Sequence, residues 1–196
     1  MPIDSTTNQE VSVHHVDLIP RSAEYNRVLD LFHKTMVKGS NYNCIVKIQR
    51  IQHPVLYYQY MARKEDMETP TLGQPKERQL FHGTSANVVK SISLQSFNRS
   101  YAGKAVGTMH GNGCYFARDA SYSIGYSLPD SQGNCYMYLA RVLTQGAHGM
   151  LAPPPKDPQN SHILYDSVVD DTTNPSIFVT FQDCQAYPEY LIIFKK

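Results

Sequence analysis

The 196-residue chain has no tryptophan, no run of about 18 apolar residues, and no two cysteines closer than twenty positions. Each absence excludes something. Without a long apolar run there is no helix to cross a bilayer, and the polar start MPIDSTTNQEVSVHH lacks a signal-peptide core. The cysteines, Cys44, Cys114, Cys135 and Cys184, make no C-x-x-C pair, which removes the zinc knuckle and the thioredoxin-type redox motif. Isolated thiols in a chain long enough to build its own core are expected to stay reduced, which points to an intracellular protein of cytoplasm or nucleus. Charge of one sign is scarce too. The 18 Lys and Arg against 17 Asp and Glu leave a net charge of +1, with no footprint for nucleic acid or an acidic membrane. What the chain has in quantity is tyrosine, 14 of them beside 7 Phe, suited equally to stacking on flat ligands or to filling a sheet core.

Residues 1–11 are polar and aperiodic, expected to be a disordered tail or a remnant without structure. Residues 12–196 carry no repeat and no dividing linker, and read as one domain. Val13 to Ile19 alternates like a strand; Ser22 can cap a helix with Tyr25, Val28, Leu29, Phe32 and Met36 on one face. A strand from Cys44 to Ile51 follows, then a helix from Leu56 to Lys64 whose charges Arg63-Lys64-Glu65-Asp66 read as a solvated face. Gln79-Leu80-Phe81 is a strand entering His82-Gly83-Thr84, and Ala86 to Leu94 is a helix. Residues 96–113, with four glycines, form a long irregular loop of the kind that carries function. After it come a strand at Cys114–Ala117, a short helix from Asp119, and strands at Tyr136–Leu143, Ile163–Val169, Ile177–Phe181 and Tyr190–Phe194. Helices early and strands late predict an α+β domain with a mostly antiparallel sheet.

Chemistry can sit in two places. His82 stands at a strand end, where the following Gly83 permits close backbone approach. Gly113-Cys114-Tyr115-Phe116-Ala117 leads into Ser121, Tyr122, Ser123 and Tyr126. The tyrosines read either as core aromatics or as two rings facing each other across a slot for a planar ring. In the second case a free glycine N–H and C=O plus one hydroxyl would read a carboxamide such as that of nicotinamide.

FHGT, NGCYFARDASYS and PSIFVTFQDCQAYPEYLIIF, in this order and with FNRS between the first two, resemble the catalytic domain of the poly(ADP-ribose) polymerase family. The likeness is closest to mono-ADP-ribosyltransferases that carry macrodomains upstream, and it covers residues 12 to 196. It implies the ADP-ribosyltransferase fold, a split and mainly antiparallel sheet flanked by short helices, with NAD as co-substrate and no metal. By resemblance, His82 bonds the NAD ribose hydroxyls, with Thr84 near the ribose. Gly83 and Ser123 recognise the nicotinamide carboxamide. Tyr115 is the tyrosine of a catalytic triad, and Tyr126, eleven positions on, stacks on the nicotinamide ring. Arg99 falls near the adenosine half, and residues 98–111 correspond to a loop covering NAD. Gly111-Asn112-Gly113 departs from the family's Gly-Lys-Gly, and that loop is a residue longer than in close relatives, with Met109 and His110 in the extra space.

Polymerising members of the family complete the triad with a glutamate, followed eight residues later by a glutamine. Gln185 sets that register and puts Ile177 at the glutamate position. Glu189, in a YPEY that resembles the polymerases' YNEY, is left as a solvated edge charge. Isoleucine can neither accept a hydrogen bond nor activate a hydroxyl. The resemblance therefore implies transfer of one ADP-ribose unit to an acidic protein side chain, including the enzyme's own, and no polymer. Nicotinamide-mimicking inhibitors are expected ligands, and the domain is expected to be a monomer with no nucleic-acid or membrane partner. Two alternatives stand beside this reading. One is a degenerate module that binds NAD, ADP-ribose or a protein without turnover. The other is a Cys114–His82 hydrolase, poorly supported because nothing lowers the thiol pKa. Tyr165-Asp166-Ser167-Val168 resembles a family motif bordering the site, with Asp166 and Ser167 read alternatively as turn residues only, and His14-His15 lacks a third metal ligand nearby.

Overall fold

A computed structural model describes residues 13–37, 40–68, 76–98, 113–144, 148–149, 156–157 and 160–196, the segments between 148 and 164 as backbone only. The chain runs β1 (His14–Asp17), α1 (Ala23–Thr35), β2 (Cys44–Gln52), α2 (Pro54–Met67), β3 (Lys76–Thr84), α3 (Ala86–Gln95), β4 (Cys114–Ala117) and α4 (Ala120–Ser123). A 3₁₀ turn at Ile124–Tyr126 leads to β5 (Asn134–Thr144), β6 (His148–Gly149), β7 (Lys156–Asp157), β8 (Asn160–Leu164), β9 (Ser167–Val169), β10 (Ile177–Thr180) and β11 (Ala186–Lys195). Nine strands form one sheet in the order β1-β2-β11-β5-β3-β4-β10-β9-β6, while β7 and β8 pair separately. All pairs in the large sheet are antiparallel except β6 with β9. Among the described residues no helix is long and apolar enough to cross a membrane.

The helices arise where the sequence supplies caps. The Ser22 hydroxyl accepts from the Tyr25 amide at 3.2 Å, Glu24 lies in the first turn, and Val28 and Phe32 bury completely. α2 starts two residues before the apolar pattern suggests, because Pro54 costs nothing in the first helical turn and the His53 side chain accepts from Leu56 N. Alternation along the central strands divides the core. Leu80, Tyr138, Ala140, Leu191 and Ile193 face α3, while Phe81, Met137, Leu139, Ile192 and Phe194 face α1.

Three expectations change. The strand expected over 163–169 breaks at Tyr165-Asp166, so β8 and β9 belong to different sheets. Asp166 is diverted from the ladder: its carboxylate pairs with Arg63 and its carbonyl accepts from Gln185 Nε2 at 3.0 Å. Arg63 is accordingly part of an interior ion pair, and Lys64 bonds Glu77 at 3.0 Å, so the charged run on α2 is only partly solvated. The terminal strand begins at Ala186 and is central, with every residue to Phe194 buried. Glu189 is no edge charge. It binds Arg141 and accepts from Gln79 at 3.1 Å, inside a network that includes Glu77, Tyr60 and Lys64.

Removing that buried carboxylate orphans the Arg141 guanidinium and the Gln79 amide. Glu189→Ala is expected to lower stability by about 1.5–3 kcal/mol, seen as a lower urea midpoint at unchanged slope. Glu189→Gln, which keeps the Gln79 contact, loses less. An unchanged midpoint for Glu189→Ala would mean that the charge is solvated after all.

Candidate active site

The sheet forks between β3 and β4. β3 pairs with β5 along its whole length, from Lys76↔Thr144 to Thr84↔Tyr136, but meets β4 only at Phe81↔Ala117. Beyond that position the two strands diverge, and His82 is the first residue in the gap. Its Nδ1 lies 2.8 Å from the Tyr115 carbonyl. A carbonyl can only accept, so Nδ1 carries the proton and Nε2 keeps its lone pair. The ring is wedged by Phe97, edge-on at 5.1 Å, and by Phe116 at 5.6 Å. Burial holds the imidazole pKa below its ordinary 6.5, and the bond to Tyr115 only partly opposes this. At neutral pH the side chain is therefore an uncharged, oriented acceptor.

Gly83 follows, pressed against the end of α4. A Cβ placed there would lie 2.0 Å from the Ser123 carbonyl oxygen and 2.9 Å from Ser127 Oγ, so only glycine permits this approach. Ser123 is buried, and its hydroxyl donates to the Phe81 carbonyl at 3.2 Å, which leaves its oxygen lone pairs to accept. Ser127 bonds the Tyr136 carbonyl at 2.9 Å and fixes the far side of the turn. Thr84 is buried at the end of β3. Gly113 opens β4 under a similar constraint, since a Cβ there would meet Val179 Cγ1 at 2.5 Å and Thr180 O at 2.6 Å.

Tyr115 is half-buried on β4 opposite Val179, and Ile177 opens β10 opposite Ala117. The period of two puts Tyr115, Ala117, Val179 and Ile177 on one face, where Tyr115 and Ile177 pack against the Val168–Val179–Phe181 cluster. No carboxylate is contributed by residue 177. The nearby Asp170 accepts from Ile177 N at 2.9 Å and from the Ser176 amide and hydroxyl. Burial by itself would raise the Asp170 carboxyl, but these donors outweigh it and hold it below its ordinary value.

Tyr126 is exposed on the 3₁₀ turn, and its ring contact is with Tyr122, with centroids 5.8 Å apart and hydroxyls 3.4 Å apart. Sequence reading placed Tyr122 in the tyrosine cluster without a part of its own. The signal that could have found it is the four-residue spacing, which puts 122 and 126 on one side of a helical turn. Arg99 and residues 99–111 of the covering loop, with Met109 and His110, lie outside the described residues, as does Asn112. Among the described residues no group of three or more His, Cys, Asp or Glu could hold a metal ion.

The family model for the poly(ADP-ribose) polymerase catalytic domain matches residues 22–154. Protein mono-ADP-ribosyltransferase PARP14 of Homo sapiens is 46% identical over 187 residues, which are 92% of this chain and 10% of that protein. PARP12 of Mus musculus, named as the same kind of transferase, is 40% identical over 194 residues, 96% of this chain and 26% of that protein. PARP11 of Mus musculus, likewise so named, is 39% identical over 213 residues, 95% of this chain and 62% of its own length. The chain thus spans less than two thirds of each.

Two measurements test the geometry. Gly83→Ala sets a methyl against backbone that cannot turn aside, and is expected to destabilise by at least about 1–3 kcal/mol in denaturant unfolding. For His82 the folded pKa lies below the unfolded one, so the unfolded chain takes up the proton first as pH falls below 6.5. Stability contributed by the neutral, half-buried ring is present above that pH and lost on acidification. The wild type should therefore lose stability more steeply below pH 6.5 than His82→Asn; parallel curves would contradict the assignment.

Proposed function

The chain belongs to the poly(ADP-ribose) polymerase catalytic-domain family, and we propose that it transfers a single ADP-ribose unit from NAD to an acidic protein side chain, releasing nicotinamide. The observation that carries this is the cluster at the fork, where a neutral His82 acceptor, the bare backbone of Gly83 and the buried Ser123 hydroxyl lie together. His82 Nε2 is free to accept from a ribose hydroxyl. The Gly83 backbone and the Ser123 oxygen offer one donor and two acceptors, which complement a primary carboxamide. Tyr126 supplies an aromatic face, and Thr84 lies two positions from His82 on the same strand. The naming of relatives as mono-ADP-ribosyltransferases supports transfer of one unit.

The reaction asks little proton chemistry of the protein. The bond from ribose C1′ to the pyridinium nitrogen breaks, its electron pair neutralises that ring, and the acceptor carboxylate bonds to C1′. Catalysis of such a step rests on orientation and electrostatic placement. Extending a chain is different, because an incoming ribose hydroxyl must be activated, and Ile177 has no group to do it. An acceptor carboxylate arrives already ionised and needs no base.

Incubation with NAD followed by intact mass is expected to show one or several increments of ADP-ribosyl size, steeply reduced in His82→Ala, which removes the acceptor for the ribose hydroxyls. Labelled NAD should give no ladder on a gel, and Ile177→Glu alone need not create one. A ladder from the wild type would overturn the single-unit reading. No increment at all would turn the assignment toward a module that binds NAD without turnover.

A further inference from the structure

The segment that carries Tyr126 is tied down at two points. Ser123 is tied to the Phe81 carbonyl and Ser127 to the Tyr136 carbonyl, both side chains buried. Between them Gly125 has nothing within 4 Å of the place a Cβ would occupy. Tyr126 therefore projects from a well-fixed backbone, yet its ring is 42% exposed and gets no support from the neighbouring Gly125. Among the described residues the ring that touches it is Tyr122, at a 40° tilt, four residues earlier on the same face of the turn.

We propose that Tyr122 is a positioning residue for NAD binding: its phenol braces the Tyr126 ring, tilted ring against ring and hydroxyl to hydroxyl, in the attitude that stacks on nicotinamide. The proposal rests on the functional reading above, in which Tyr126 is the nicotinamide platform. The physical reason is ordering. A half-exposed phenol with free rotation about χ1 and χ2 must give up that freedom when a flat ligand settles on it, and affinity falls accordingly. A neighbour that restrains the ring beforehand moves that loss from the binding step into folding. The hydrogen bond to Tyr126, and burial after it, push the Tyr122 hydroxyl up to about 12, so it stays protonated through the physiological range. Tyr122 touches the Tyr126 ring and hydroxyl, whereas the Ser123 and Ser127 hydroxyls bond the carbonyls of Phe81 and Tyr136, so Tyr122 braces the ring and not the backbone.

The test compares wild type with Tyr122→Phe and Tyr122→Leu in NAD turnover and in nicotinamide binding by calorimetry. Tyr122→Phe keeps the ring contact and loses the hydroxyl; it should raise KM for NAD and Kd for nicotinamide two- to five-fold. Tyr122→Leu loses both and should raise them tenfold or more. In both variants kcat should stay within twofold of wild type, since no group at the reacting carbon has changed. Tyr122 is 45% exposed, so both should fold, and a matching thermal midpoint checks this. Unchanged KM and Kd in a folded Tyr122→Leu would overturn the proposal while leaving the functional reading in place. A fall in kcat at constant KM would also overturn it, making Tyr122 a catalytic residue. Failure of the wild type to bind nicotinamide or turn over NAD would remove the functional reading and this proposal together.

Discussion

Past Phe81 and Ala117 the two halves of the large sheet part, and the bond from His82 to the Tyr115 carbonyl spans the gap where a ladder would otherwise continue. Several properties of the site follow from that single contact. It spends Nδ1–H on the backbone, so Nε2 remains an acceptor. It seats the imidazole between Phe97 and Phe116, and that burial keeps the ring neutral. It also explains why the next residue has no side chain: with β3 turned away from β4, its backbone presses against α4 instead, and the Ser123 carbonyl occupies the place of a Cβ. Ser123 closes the arrangement by donating to Phe81, the last residue before the fork. Acceptor, bare backbone and hydroxyl are thus positioned by one local failure of strand pairing.

The acidic residues of the late strands divide by the same logic of partners. Glu189 resembles a catalytic carboxylate in its local sequence, but its oxygens go to Arg141 and Gln79 within a network that runs between α2 and the centre of the sheet. Asp170 stands beside Ile177, but three donors from Ser176 and Ile177 use its oxygens and lower its basicity. Neither carboxylate stands in for the one that Ile177 lacks. Under the proposed function, an acceptor that brings its own negative charge would meet the lack of a carboxylate at 177 without help from the protein.

The motifs FHGT and NGCYFA lie within the stretch 22–154 that matches the family model, so family and fold were legible along the sequence; by resemblance, the register counted from Gln185 places Ile177 and not Glu189 at the carboxylate position. The Ser22 cap and the strand entering His82 were likewise local matters of cap chemistry and periodicity. Tertiary structure alone decided that Glu189 is buried at the centre of the sheet, since β11 takes its place between β2 and β5 through partners more than forty residues away. It decided as well that the stretch 163–169 breaks, because Arg63 and Gln185 claim Asp166 from distant parts of the chain. Alternation and capping act over a few residues and can be read along the sequence; the pairing of charges and of strands is settled by neighbours in space, which a linear pattern does not contain.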